Sequence, residues 1–460
     1  MTQGRKSNQF RTETDSMGEV KVPQDALYAA QTQRAVDNFN ISSLTLPLEF
    51  IQQIITIKQT AAETNLELGQ LPKTKAQAII KATEKLFKSG LINATHFPVD
   101  VFQTGSGTST NMNVNEVVAH IASSSRTTIH PNDDVNMGQS SNDVIPTAIS
   151  MMATEQLIKH LIPAVESLIE TIKAKGKTLK SVLKTGRTHL MDAMPLSMEQ
   201  ELSGWAYQIQ LTLKNLKNII SQVSELAQGG TAIGTGINSS PKFKSLFVEK
   251  LKNKTGLPYK KAGNAFASIS GQDSSVALSG ILNTLATALM KISNDLRWMN
   301  SGPVSGLGEI RLKAIQPGSS IMPGKVNPVV PEAVTMAAAQ IIGNHTSITV
   351  GAQAGNFQLN VMLPMIAYNL HQSLELATNS SLHIADTIKN FEPNKELLDQ
   401  LLNKNAILAT ALAPKVGYEK ASEIVYKARK EARTILDVAV ELTTMSEKEL
   451  SKVLDPKKLT

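Results

Sequence analysis

Eleven residues from Gly318 to Pro328, GSSIMPGKVNP, bring two adjacent hydroxyls, Ser319 and Ser320, close in sequence to a lysine, Lys325, and an amide, Asn327. That set can hold an anion. Gly318 and Gly324 free the backbone while Pro323 and Pro328 fix it, a mixture that no helix interior or central strand tolerates. The composition predicts a mobile loop that ends where Pro328 opens a helix. Lys325 and Asn327 then fall at a helix start, where partial positive charge already favours an anion. A plain surface loop is the alternative reading for any Gly/Pro/Ser stretch.

Three further segments have the same character. They are QTGSGTSTNMNVNE (Gln103–Glu116), HPNDDVNMGQSSND (His130–Asp143) and GRTHLMDAMP (Gly186–Pro195). Each offers hydroxyls, amides or imidazole beside an expected helix start, and each taken singly reads as a capped turn. Four in one chain exceed what connections need. A glycine-rich stretch, Gly229–Gly236, has the wrong spacing for a dinucleotide fingerprint and no strand before it, so it reads as a turn where backbone approaches something closely. With no cysteine, disulfides, thiolate metal sites and a cysteine nucleophile are excluded. The eight histidines form no His-x-x-x-His or Glu-x-x-His cluster, which disfavours a metal centre.

The elements that must position these segments are mainly α-helical. Leu157, Leu161, Val165, Leu168 and Ile172 step by three and four, as do Leu202, Trp205, Ile209, Leu213, Leu216, Ile220 and Val223, and again Leu278, Leu282, Leu285, Leu289, Ile292, Leu296 and Met299. Such stripes, flanked by small residues, predict a close-packed bundle and are core or subunit interface rather than ligands. Aromatics make up only 4% of the 460 residues, so the core rests on aliphatic side chains. Irregular sequence up to about 140, a helical pattern over Leu48–Leu68 and a break near Glu392–Asn394 divide the chain into 1–140, 141–362 and 363–460. The net charge of +7 is spread over single lysines with acids between them, without the basic and aromatic runs of a nucleic-acid binder. The opening MTQGRKSNQF lacks a signal peptide's apolar stretch, and no uninterrupted apolar run predicts a membrane span.

The motifs HPNDDVN, GRTHL and PGKVNP, with DSMGEVKVP near the start, resemble those of class II fumarate hydratases in the fumarase/aspartase superfamily, and the likeness covers nearly the whole chain. Gln139-Ser140-Ser141-Asn142, Thr188-His189 and Pro323-Gly324-Lys325 favour the hydratases over aspartate ammonia-lyase. Val329-Val330-Pro331-Glu332 looks aspartase-like and keeps that enzyme as the alternative. The resemblance implies a three-domain, mainly α fold with a long central bundle. It also implies reversible anti hydration of fumarate to malate through an aci-carboxylate, a tricarboxylic acid cycle step, without metal or cofactor.

By resemblance, Ser319 is the base at carbon, working as an alkoxide held by loop amides, and His189, oriented by Glu332, handles the oxygen side. Ser106, Gly107, Thr108, Ser140, Ser141, Asn142, Thr188, Ser320, Lys325, Val326 and Asn327 would bind the substrate carboxylates. His130, Pro131, Asn132 and Asp133 match a secondary dicarboxylate site. Thr127 stands where the family often has a basic residue, so a simple turn is the equal alternative there. The resemblance further implies a cytoplasmic homotetramer whose active sites each draw on three chains. A non-enzymatic scaffold on the same fold is the remaining rival, opposed by the intact set His189, Ser319, Lys325 and Glu332.

Overall fold

The computed structural model describes residues 9–460; the first eight residues of the segment read for a signal peptide lie outside it. In chain order a hairpin of β1 (Phe10–Asp15) and β2 (Gly18–Pro23) precedes α1 (Ala30–Asn38), α2 (Leu48–Glu67), α3 (Lys73–Lys88), α4 (Thr108–Ala122), α5 (Ser141–Gln156) and α6 (Ile162–Thr178). A second hairpin, β3 (Leu183–Thr188) and β4 (Met191–Ser197), leads into α7 (Met198–Val223), α8 (Phe243–Thr255), α9 (Ala265–Ser270), α10 (Asp273–Met299), α11 (Val329–Ala352) and α12 (Leu363–Asn390). Shorter helices follow from Lys395 onward. The helical stripes fall in the π-turn Leu157–Leu161 with α6, in α7 and in α10, where stripe residues Leu157, Leu161, Leu168, Leu202, Trp205, Ile209, Leu285, Leu289 and Ile292 are buried.

The chain forms two compact units, and it passes between them within its long helices. The first unit takes residues 1–162, 215–284 and 340–377. There α2 starts after Pro47 and buries Phe50, Ile54, Ile55 and Ile57. Val114, Val117 and Val118 of α4 and Val144, Ile145 and Ala148 of α5 complete this core, while α8 adds the stacked pair Phe243 and Phe247. The second unit takes 163–214, 285–339 and 378–460. It includes a C-terminal cluster around Leu408, Leu412, Ile424, Val438 and Leu450.

The long helices also carry large apolar side chains that the protomer leaves open: Tyr207 and Leu211 on α7, Trp298 on α10, Met336 and Val350 on α11. By length and composition α10 alone among the described helices could cross a membrane, but half of its most apolar window is buried in the protein. Its buried stripe is that of a core helix.

Candidate active site

In the first unit two of the polar segments come together because α4 and α5 begin side by side. Gly107 precedes α4 with φ of +74°, and a Cβ there would stand 2.8 Å from Ile145 Cγ1 of α5. Only glycine allows both the turn and the approach. Ser106 and Thr108 share a 2.7 Å hydrogen bond between their hydroxyls. Across the gap, Asn111 Nδ2 donates to Ser141 Oγ at 2.9 Å. Ser140 caps α5: its Oγ accepts from Asn142 N at 3.2 Å, while Ser140 N donates to Asp143 Oδ1 at 2.9 Å, closing a capping box. Two helix N-termini lined with hydroxyls have the chemistry to hold a carboxylate.

The Gly229–Gly236 stretch folds onto this place, as a close-approach turn should. Asn142 Nδ2 donates to Ala232 O at 2.8 Å, and Gly229 N and Thr231 N each donate to Asp143 Oδ2 at 2.9 Å. Asp143 is fully buried, and desolvation pushes its carboxyl up to about 6 in spite of these amides. Below it lies Lys58 of α2, also fully buried. Its Nζ donates to Asn136 Oδ1 at 2.8 Å and Gln139 Oε1 at 3.0 Å. Desolvation lowers its ammonium to about 7. Sequence reading passed over Lys58, although it continues the apolar stripe Ile51, Ile54, Ile55 toward Ala61 and Ala62; a lysine on a buried face is the signal.

His130 stands at the start of a π-turn, Pro131–Val135. Its Nδ1 accepts from Asp133 N at 3.1 Å, and both side chains are exposed. Pro131, Asn132 and Asp133 are part of this turn.

In the second unit the structure corrects one expectation. GRTHL does not sit at a helix start but at the tip of the β3–β4 hairpin, because Thr188 pairs directly with Met191 and leaves a two-residue connection. His189 and Leu190 take φ of +55° and +61°, the pattern of a hairpin turn that asparagine and glycine normally fill. Each such non-glycine residue costs about 1–3 kcal/mol. Strain of this kind persists where the surrounding structure enforces it. The enforcement is visible at the hairpin base: the register shifts between Thr185 and Arg187, and a Cβ at Gly186 would stand 2.6 Å from Met194 O. Arg187 Nη1 pairs with Glu309 Oε1 at 2.7 Å, and Lys184 Nζ lies 2.8 Å from both Glu309 Oε2 and Glu201 Oε2. Glu309 and Lys184 are buried. This ion network was not foreseen from sequence, since nothing links residues 187 and 309 by period.

The residues from Gly318 to Pro328 have no regular structure, and α11 begins at Val329 with Glu332 N donating to Pro328 O at 3.1 Å, the start expected of that proline. The loop closes on itself: Ser319 N donates to Lys325 O at 3.0 Å, and a Cβ at Gly318 would fall 1.4 Å from that same oxygen. Ser319 Oγ accepts from two backbone amides, Ile321 N at 3.3 Å and Met322 N at 3.2 Å. Lys325 Nζ donates to Asn327 Oδ1 at 2.8 Å. Ser320 and Val326 are exposed beside them. A cavity of about 880 Å³ adjoins the loop, lined by Arg297, Arg311, Lys325, Asn327 and Glu332 among others. Thr188 and His189, exposed on the hairpin tip, do not line it, and among the described residues no ion pair joins His189 to Glu332 within the protomer.

The chain is similar to known proteins over nearly its whole length. A family model described as lyase matches residues 18–343, and one described as fumarase C C-terminus matches residues 408–460. Fumarate hydratase class II 2 of Pseudomonas aeruginosa is 51% identical over 452 residues, with 98% of each chain covered. Fumarate hydratase class II of Thermus thermophilus is 46% identical, again over 98% of each chain. A crystal structure of class II fumarase from Schistosoma mansoni superimposes with a TM-score of 0.93 at 38% identity, covering 98% of this chain and 99% of that one.

Proposed function

The chain belongs to the lyase family that contains the class II fumarate hydratases, and from that membership we propose that it catalyses the reversible hydration of fumarate to (S)-malate. The observation that carries the mechanism is the pair of loop amides aimed at Ser319 Oγ. A serine hydroxyl is far too weak an acid to exist as a base unaided. Donors already directed at the oxygen stabilise the alkoxide, and a single donor of this type is worth about 10²–10³ in rate elsewhere. Lys325, in the same loop, brings an ammonium that is hydrogen-bonded to Asn327.

In the hydration direction His189 takes a proton from water as the oxygen adds to one alkene carbon. Charge spreads onto the far carboxylate as an aci-anion, and the Ser319 hydroxyl delivers its proton to the other carbon from the opposite face. The proton left on His189 returns to Ser319 through solvent, which balances the cycle. Lys325, Asn327, Ser320, Val326, Thr188, Ser106, Gly107, Thr108, Ser140, Ser141 and Asn142 hold the two carboxylates in this reading. Glu332 orients His189, and because the two do not pair within the protomer, the pairing is assigned across subunits.

The assembly is proposed as a homotetramer with each site drawn from three chains. The open apolar side chains of α7, α10 and α11 support it. The division into 1–140, 141–362 and 363–460, the cytoplasmic location and the place in the tricarboxylic acid cycle belong to the same proposal and rest on the resemblance. The test is an ultraviolet assay of fumarate's conjugated double bond, with and without ammonia. Loss of absorbance with malate as the product, unaffected by ammonia, is expected. Aspartate as the product, or unchanged fumarate, would overturn the reading.

A further inference from the structure

Lys58 has an unusual position for a lysine. It is fully buried, and its hydrogen-bond acceptors are two neutral amide oxygens, those of Asn136 and Gln139. A buried ammonium without a carboxylate in contact is costly. Several charged groups on the elements around it are engaged elsewhere. Lys75 of α3 pairs with Asp134 of the π-turn at 2.8 Å. Glu116 of α4 accepts from the amides of Ala29, Gln31 and Thr32, at 2.9–3.1 Å. Glu155 of α5 binds Lys159 and Gln53. On α2 itself Glu63 and Glu67 pair with Lys254 and Lys250 of α8, and Glu49 faces His371 of α12. Asp133 of the π-turn is exposed against His130. Among the described residues Asp143 opposes the desolvation of Lys58, and three backbone amides already bind its carboxylate.

The same two amides tie Lys58 to the substrate-facing turn. Gln139 immediately precedes Ser140. Asn136 Oδ1 also accepts from Asn111 Nδ2 at 3.2 Å and Asn115 Nδ2 at 3.3 Å, which joins the start of α4 to that of α5. Several polar atoms of this cluster, Asn111 Oδ1, Asn115 Oδ1 and Gln228 Oε1 among them, have no partner in the protein. These oxygens are acceptors without a donor, so the cluster is not a closed structural network. Lys58 itself contacts no anion among the described residues: both of its acceptors are neutral amides.

We propose that Lys58 is a positioning residue and buried countercharge for the dicarboxylate: it holds the Gln139–Asn142 turn through Asn136 and Gln139, and a dianion bound at that turn draws a proton onto its amine. This rests on the carboxylate-binding role proposed above for Ser140, Ser141 and Asn142. The balance is simple. The free protein above about pH 7 holds Lys58 largely neutral; binding brings two negative charges and one proton from solvent, with no bond broken but that of the proton's donor. The affinity for a dianion then falls as pH rises above about 7, by up to about tenfold per pH unit until the bound form also loses the proton.

The experiment is calorimetric titration of the intact enzyme with succinate, which has no double bond to hydrate, at pH 8 in two buffers of different ionisation enthalpy. Uptake of close to one proton per site is expected. His189→Asn should keep the uptake, and Lys58→Met should lose it, with KM for fumarate at pH 7 raised about tenfold, kcat within about threefold of the parent and the circular dichroism spectrum unchanged. No proton uptake by the parent protein would overturn the proposal without needing any variant. Uptake that persists in Lys58→Met would overturn it as well. Failure of the parent to hydrate fumarate at all is a separate result and would instead count against the proposed function.

Discussion

A hydroxyl becomes a base only where its anion is better solvated by protein than by water. At Ser319 two backbone amides already point at Oγ and a lysine lies in the same loop. Ser319→Ala is expected to lower kcat by about 10³-fold, within the span of general acid–base catalysis, and to leave succinate binding within about twofold. Steady-state kinetics with a competition assay reads both, and turnover near the parent level would remove Ser319 from the chemistry. A second prediction concerns Lys58, whose folded-state value of about 7 lies below the ordinary 10.5. The cost of burying its charge is therefore complete below about pH 7 and fades as pH rises toward 10.5. Relative to Lys58→Met, the parent protein should gain about 1 kcal/mol of stability per pH unit between pH 7 and 9. Urea midpoints at the two pH values measure it, and a flat difference would show that Lys58 does not titrate there. The motif residues themselves were legible in sequence because their types are chemically unusual for loops. Lys58 and Glu309 were not, since a buried ion is recognised by its surroundings and those come from distant segments.

At the scale of elements, the amphipathic stripes identified α6, α7 and α10 because a 3.6-residue period needs no knowledge of the partner. The start of α11 after Pro328 followed from proline's fixed φ and missing N–H. The β3–β4 hairpin escaped the same reasoning. Its strands do not alternate between buried and exposed, its turn carries His-Leu where asparagine and glycine are the usual signal, and Gly186 marks a bulge rather than a helix boundary. The strained turn places His189 at the hairpin tip, and the buried pairing of Glu309 with Lys184 and Arg187 ties the hairpin at its base. The Gly318–Pro328 loop depends on a different device, the close passage of Gly318 over Lys325 O. Gly318→Ala should open that turn and pull Ser319 N away from Lys325. A fall of at least about tenfold in kcat with an unchanged melting temperature is expected, because the loop is exposed and carries little of the core. A variant as active as the parent would mean that the turn is not needed for turnover.

At the scale of the whole molecule, stripe periodicity tells which face of a helix is apolar but not whether that face meets its own chain or another. Trp298 and Met336 are more than half exposed, at 53% and 68%, in the protomer. The proposed tetramer covers such faces and brings His189 and Ser319 from different chains to one substrate. Two inactive variants, Ser319→Ala and His189→Asn, should therefore regain activity when unfolded together and reassembled, since some mixed sites contain neither substitution. About a quarter of parental activity is the ceiling for equal mixing with each of the two residues supplied by an independent chain. A mixture that exchanges subunits and stays inactive would place both residues of a site on one chain.

The claim beneath all of this is that a loop hydroxyl and a hairpin imidazole act on opposite faces of one flat diacid. Hydration of fumarate in heavy water tests it most directly, with the malate read by proton magnetic resonance. The account predicts one deuterium on the methylene carbon, in the single diastereomer that anti addition produces. Both diastereomers in comparable amounts, or the syn product alone, would contradict it.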